Sequence, residues 1–554
     1  MTEIRLLSSL AKVFPHAAPP ARPEKEWLSA LGGETVSFQV AYLQKRGKQH
    51  WTHLRLETEL ATQMRRVQYI PGHFPTAFGA DDGYLHKEAG LFPDLLEPIG
   101  TKDKQPGNTL SDRLPFLPGT WRAVWVDVVI PPQAPAGHYP IRLTLENPAG
   151  EVLAQAETAV TVVAANLPAL DIAHTRWFHT DCLADYYGVD MFSERHWEII
   201  ENFAAYAVQH NMNALLTPIH TPPLDTEVGG ERTTTQLLDI SVEDGRYTFG
   251  FDRLQRWVDM CQRVGIKYIE IAHLFTQWGA KHAPKIMGTK DGTYTRLFGW
   301  ETAATGPEYT AYLQQMLPAL TAKLREWGVA EKTFFHISDE PNMSHLEDYA
   351  AARNIIKPLL EGFKVVDALS NFEFYEQDLV SVPVPSVDYI EPFLEADLPE
   401  LWCYYCCVES VHSPNLFFMQ PSFRNRIIGV LLYKYNLDGF LHWGYNFYRS
   451  VHSVYPIDPY RVTDAEGAFP SGDAFVVYPG KDGHPLASLR LMVASEAFND
   501  FRALKLLEEK IGRGAVLEMI DDGLASPLTF RRFPQTEDYL INLRQRVNAK
   551  ISQQ

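Results

Sequence analysis

Cysteine and positive charge are both scarce in this chain. Its 554 residues include five cysteines, an odd number, and Cys403, Cys406 and Cys407 crowd into one apolar segment. That usage does not build a disulfide framework and suits a reducing compartment, so the protein is expected in the cytoplasm. Lys and Arg total 50 against 68 Asp and Glu, leaving a net charge of −18. So acidic a surface repels phosphate backbones and anionic headgroups, which disfavours nucleic acid as a partner. No apolar run approaches the ~18–20 residues of a membrane span. The opening MTEIRLLSSLAKVFPHAAPPARPEKEW has no continuous apolar core and no small-residue cleavage site, so no signal peptide is read. Also missing are a Walker loop and a G-x-S-x-G elbow, which leaves a nucleotide enzyme or a serine hydrolase without support.

What is present is an ordinary folded composition, 45% hydrophobic and 21% charged, and a length that suggests two to four domains. Residues 34–43 (ETVSFQVAYL), 122–130 (RAVWVDVVI), 138–145 (HYPIRLTL) and 154–163 (AQAETAVTVV) are alternating or β-branched runs punctuated by Pro, Gly and Asn. They predict an N-terminal β-sandwich over residues 1–165. From about residue 175 the pattern becomes strand, loop, helix, repeated, with strands near 175, 214, 267, 333, 364, 388, 401 and 439. No glycine-rich phosphate turn follows the first of them, as a doubly wound sheet would require. Eight strands alternating with helices predict an α/β fold, a (β/α)8 TIM-type barrel over residues 171–485, followed by a helical C-terminal segment over 486–554.

In such a barrel the chemistry lies just beyond the C-terminal ends of the strands. The residues there are His179 and Asp181, His220, His273 and Trp278, Asp339 and Glu340, Asn371 and Glu373, Glu391, Tyr404 and Tyr405, and Trp443 and Asn446. HISDEP, residues 336–341, stands out. Strand alternation would put His336, Ser338 and Glu340 on one face, with Glu340 aimed at the barrel mouth. Asp339 would point away unless the strand has already ended, and Pro341 favours an ending. Two adjacent carboxylates repel each other, which keeps one protonated near neutrality. The competing reading is an Asp-Glu pair capping a helix that begins at Met343. The three clustered cysteines read as core, and His179, His220, His273, His336 and His442 read as hydrogen-bonding groups. No H-x-H occurs on the first strand, and neither metal nor cofactor is expected. Carboxylates with Trp278, Tyr404, Tyr405 and Trp443 at a barrel mouth point to a glycosidase with an aromatic sugar platform.

The ordered series VWVDVVIPPQAPAGHYPIRLTL, DEP, LWCYYCC, SPNLFF, GFLHWGYNFY and SLRLMVASEAFNDFRALKLL spans nearly the whole chain. It resembles glycoside hydrolase family 123, the retaining β-N-acetylgalactosaminidases, and the wider DUF4091 domain family. The resemblance implies substrate-assisted hydrolysis, in which the sugar's own 2-acetamido oxygen attacks the anomeric carbon to form an oxazolinium ion. It implies Glu340 as general acid/base, Asp339 as the group that orients the acetamido, and Tyr404 and Trp443 as sugar-binding residues. Tyr405 stands where the family usually has Thr in W-x-Y-T-C-C. His179, Asp181, His220, His273, Asn371 and Tyr405 complete the expected substrate-binding set. A carbohydrate is the expected partner, and a homo-oligomer is left open. Two alternatives stand beside this: a two-carboxylate glycosidase with Glu409 or Glu391 as nucleophile, and a non-catalytic carbohydrate-binding protein.

Overall fold

The computed structural model describes residues 2–20, 27–48, 50–105, 108–111 and 113–553. Met1 and residues 21–26 of the N-terminal stretch read above lie outside these.

The N-terminal strands form two sheets packed face to face. In the five-stranded sheet the order is Thr2–Ser8, Thr35–Gln44, Arg122–Val129, Ala61–Gly72 and Gly90–Pro98, antiparallel throughout. The second sheet centres on Val152–Asn166, Gly137–Glu146 and His50–Glu57. Phe38, Val40, Val124 and Val126 from the first sheet meet Leu54, Leu56, Ile141, Leu143 and Val160 from the second in one core. Alternation explains this packing, since Val124, Val126 and Val128 face inward. Their neighbours Ala123 and Trp125 face the other way and belong to the main core of the chain instead. The five-stranded sheet is thus covered on both faces, which is why RAVWVDVV reads as nearly continuous apolar sequence.

That second face is fastened by buried polar contacts. Lys12 Nζ donates to the carbonyls of Phe417, Phe418 and Gln420 at 3.3, 2.7 and 2.6 Å, and burial pushes its ammonium down to about 7. Asp94 accepts from Arg490 Nε and Nη2, both at 2.9 Å, and from the Tyr478 hydroxyl at 2.6 Å.

Eight short parallel strands follow: β1 (Ala173–Arg176), β2 (Ala214–Thr217), β3 (Tyr268–Ile271), β4 (Thr333–Phe335), β5 (Lys364–Ala368), β6 (Val382–Val384), β7 (Trp402–Tyr404) and β8 (Gly439–His442). Strands β2 to β6 pair in sequence order, and β7, β8 and β1 form a second parallel ladder. Hydrogen bonds connect the two ladders at both ends. Tyr404 N–H donates to Pro385 O at 3.1 Å and Val387 N–H to Tyr404 O at 2.9 Å; Asn213 N–H donates to His174 O at 3.1 Å. A helix separates each consecutive pair of strands, from Glu194–Gln209 after β1 to Phe423–Lys434 after β7. Ser193 caps the first of these, accepting from His196 N–H.

The sixth strand is not where the sequence reading put it. It is Val382–Val384, and the expected position near residue 388 is a turn leading into the helix Glu391–Glu395. Pro392 sits in the first helical turn, where a missing N–H costs nothing, while the β-branched V-P-V-P run supplies the extended strand.

After β8 the helix Leu489–Ile511 packs tightly on Phe423–Lys434. A Cβ on Gly429 would stand 1.8 Å from the Ala497 carbonyl oxygen. Backbone cannot yield there as a flexible side chain would, so Gly429→Ala should destabilise the protein by about 3 kcal/mol, the upper end of overpacking costs. Urea unfolding measures it, and a change under 0.5 kcal/mol would mean the helices separate easily.

Candidate active site

The C-terminal ends of the parallel strands open into a cleft of about 610 Å³, its mouth included. Its lining includes Trp177, His179, Asp225, Gln277, Trp278, Asp339, Glu340, Tyr404, Cys406, Cys407, Trp443 and Phe469. Strand β4 ends at Phe335, so alternation lapses before the carboxylates and both reach the same cleft. Glu340 takes a left-handed backbone, φ 45°, a conformation worth of order 1–3 kcal/mol of strain for a residue with a Cβ. Glu340 N–H donates to Ala368 O at 3.1 Å, and Asp339 O accepts from Trp278 N–H at 2.9 Å. These bonds hold the turn. Asn342, not the acidic pair, caps the following helical turn.

The electrostatics of the pair follow from burial and adjacency. Burial raises both carboxyls above their ordinary range, and the neighbouring Glu340 charge raises Asp339 further. One proton therefore stays with the pair near neutrality. The Tyr404 hydroxyl donates to Glu340 Oε1 at 2.8 Å and favours Glu340's charged form, so in the free site the proton leans toward Asp339.

Beneath them lies a buried charged triad. His336 Nε2 faces Glu270 Oε1 at 2.8 Å and its Nδ1 faces Asp367 Oδ1 at 3.2 Å. Burial pulls the imidazole down, but these bonds outweigh it and hold it at about 9. Glu270 also accepts from Trp177 Nε1 at 2.8 Å, fixing an aromatic ring of the cleft. His336→Gln would leave two buried carboxylates without their cation and should cost about 3–5 kcal/mol. The difference should be full below about pH 6.5, the ordinary imidazole value, and fade as pH rises through about 9. Denaturant titrations across pH read it, and a loss independent of pH would show that His336 contributes packing alone.

The sequence-chosen residues divide. Asp339, Glu340, Tyr404, Trp443 and His179 line the cleft. Trp443 Nε1 donates to Asp473 Oδ2 at 2.8 Å, which orients the ring. His179 accepts at Nδ1 from Arg232 at 3.0 Å and donates from Nε2 to Trp443 O at 2.9 Å. Burial and Arg232 push it down to about 3, so it is neutral. Asp181 stands behind it, paired with Arg232 at 2.8 Å and Arg449 at 3.2 Å, as support for the wall.

Other choices are corrected by the structure. Tyr405, the residue just after β7, faces the helix layer, its hydroxyl on Asn425 at 3.2 Å. His220 is tied to the Tyr312 hydroxyl at 2.8 Å on the outer helix Pro307–Glu326. His273 is buried, stacked on His336 at 4.5 Å. Asn371 lies outside the cleft lining, where its carbonyl accepts from Phe374 N–H at 3.3 Å. The three clustered cysteines are core as expected, Cys403 in the main cluster and Cys406 in a second with Cys407 packed on it, and the last two also border the cleft. His273, His336 and Asp367 bring ligand-type atoms within 4.8 Å of one another, yet both His336 nitrogens are engaged with carboxylates. Sequence reasoning missed Glu270, Asp367 and Asp473. The first two carry a signal, a lone carboxylate inside an apolar strand (KYIEIAHL, KVVDAL); Asp473 lies in a loop that carries none.

The model of the glycoside hydrolase 123 catalytic domain matches residues 177–507. The chain belongs to glycoside hydrolase family 123. It is therefore a glycoside hydrolase with a carbohydrate substrate. A family 123 glycoside hydrolase from Clostridium perfringens, studied for glycolipid glycan hydrolysis, superposes with a TM-score of 0.75 at 15% identity. That match covers 100% of this chain and 98% of that one, so the two share their fold end to end. Bacteroides uniformis β-glucuronidase matches at a TM-score of 0.31 and 11% identity over 86% of this chain and 49% of its own. Parabacteroides merdae β-glucuronidase gives 0.32 and 11% over 91% and 51%. Likeness at that level carries no argument. No curated protein matches the chain. Among the described residues no helix is long and apolar enough to cross a membrane.

Proposed function

We propose that this family 123 hydrolase releases β-linked N-acetylhexosamine, N-acetylgalactosamine above all, from chain ends with retention, through an oxazolinium intermediate. The observation that carries the reading is the adjacent Asp339–Glu340 pair in one cleft with Tyr404 on Glu340. A two-carboxylate route through Glu409 or Glu391 has less support. Glu409 is buried with Oε2 on Cys406 N–H at 2.8 Å, and Glu391 is exposed at a helix start.

The chemistry runs as follows. The acetamido N–H donates to Asp339, favouring its charged form and returning the shared proton to Glu340. The acetamido oxygen then bonds to C1 as the C1–O bond breaks, and Glu340 gives its proton to the leaving oxygen. The oxazolinium nitrogen keeps its proton against the Asp339 carboxylate. Water next attacks C1 and loses a proton to Glu340, the ring opens, and both groups are reset. Trp443 and Trp177 supply stacking surface for the sugar.

The framework in this reading is a closed (β/α)8 barrel, supported by the bonds that connect the two parallel ladders at both ends. The division is a sandwich over residues 1–165, a barrel over 171–485 and a helical segment over 486–554. The five free thiols favour a cytoplasmic setting, and the likeness to the clostridial enzyme favours glycolipid glycans as the source of the sugar. The test is hydrolysis of nitrophenyl 2-acetamido-2-deoxy-β-galactoside, with the first-formed sugar followed by NMR. Release as the β-anomer is expected; release as the α-anomer would rule out a double displacement.

A further inference from the structure

Among the described residues, two fully buried polar atoms lining the cleft have no hydrogen-bond partner. Oδ2 of Asp225 and Nε2 of Gln277 are buried and unbonded, and both residues line the cleft. They belong to one construction. Asp225 N–H donates to Gln277 Oε1 at 2.7 Å, which uses the amide's acceptor and leaves its NH2 as the free end. Asp225 is held in a left-handed backbone, φ 41°, and its Oδ1 faces His452 Nδ1 at 4.0 Å. The loop after β2 carries Asp225 and the loop after β3 carries Gln277. The next residue, Trp278, donates its N–H to the Asp339 carbonyl, so the two free atoms share a wall with the carboxylate pair. A buried donor and a buried acceptor side by side are costly unless a ligand satisfies both.

We propose that Asp225 and Gln277 together bind two hydroxyls on adjacent carbons of the released sugar and so select that sugar. A hydroxyl both donates and accepts; one donates to Asp225 Oδ2 while its neighbour's oxygen accepts from Gln277 Nε2. An ammonium or a carboxylate ligand would satisfy only one of the two atoms. The inference rests on the cleft being the sugar site described above, with the acetamido group held by Asp339.

The test uses Asp225→Asn and Gln277→Glu, which keep size and change the hydrogen-bonding character together with one unit of charge; the deoxy analogues separate the two, since a charge effect falls on every sugar alike. Each should lower kcat/KM on the nitrophenyl 2-acetamido-β-glycoside by about 10²-fold or more, since a site built to bond hydroxyls discriminates strongly when a partner is lost. On the monodeoxy analogue lacking the hydroxyl it binds, each variant should cost almost nothing further, because the contact is already gone. Equal losses on the parent and on the 3-, 4- and 6-deoxy sugars would overturn the proposal. So would a loss confined to disaccharides, which would place the pair against the leaving group. Should no aryl glycoside be hydrolysed, the catalytic reading fails and the pair is judged by binding alone. Quenching of the fluorescence of the cleft tryptophans by free N-acetylhexosamine should then weaken at least tenfold in both variants. Unchanged affinity would refute it.

Discussion

Glu340→Gln should lower kcat/KM on glycosides with poor leaving groups by about 10²–10⁴-fold, the usual range for a general acid. Activated dinitrophenyl glycosides should lose far less in the same parameter. The difference arises because kcat/KM reports steps up to the first irreversible bond cleavage, where an activated phenolate departs without a proton. Glutamine keeps the shape and can still accept from Tyr404, which isolates proton transfer as the thing removed. The kcat for activated substrates should fall more than kcat/KM does, since opening of the oxazoline needs Glu340 as base toward water. Equal loss of kcat/KM on both leaving-group classes would assign Glu340 a binding role instead.

Asp339→Asn is expected to damage every substrate alike, by about 10²–10⁴-fold in kcat/KM, the scale of losing a positioned charge against a developing one. Leaving-group activation should give no rescue, because in the proposed mechanism the missing interaction is with the acetamido nitrogen. A thiazoline mimic of the oxazoline should lose affinity in parallel, as a transition-state contact requires. The pH profile carries a second signature. Removing the negative neighbour makes Glu340 easier to ionise, so the alkaline limb of kcat/KM should move to lower pH in this variant. A limb that moves upward, or activity near that of the wild type, would remove Asp339 from the mechanism.

Much of the fold was legible because burial patterns are periodic. Seven of the eight parallel strands fall where β-branched runs alternate with helical periods, and the RAVWVDVV and HYPIRLTL strands of the sandwich lie within a residue of their expected bounds. The sixth was misplaced because V-P-V-P looks like a loop, although proline does not bar an extended conformation. Within the site, HISDEP was legible as a carboxylate pair after a strand, but its geometry was not. The expected alternation through Glu340 required a strand that ends five residues earlier, and the left-handed turn at Glu340 has no sequence mark. Tyr404 and Tyr405 are alike in sequence, but β7 ends at Tyr404 and Tyr405 turns to the helix layer. The supporting layer was hidden for a different reason. Glu270 and Asp367 come from two strands and His336 from just beyond a third, and only their packing shows that they meet.

In the proposed mechanism the substrate supplies the nucleophile, and the direct measurement compares nitrophenyl 2-acetamido-2-deoxy-β-galactoside with the plain β-galactoside. If the acetamido oxygen attacks C1, replacing it with hydroxyl removes the attacking atom and leaves Asp339 without its N–H partner. The loss should exceed the roughly 10–200-fold that a missing methylene gives, and should appear in kcat as well as KM. Comparable kcat/KM on the two sugars would contradict the account. The nucleophile would then have to be a second carboxylate, as in the two-carboxylate route.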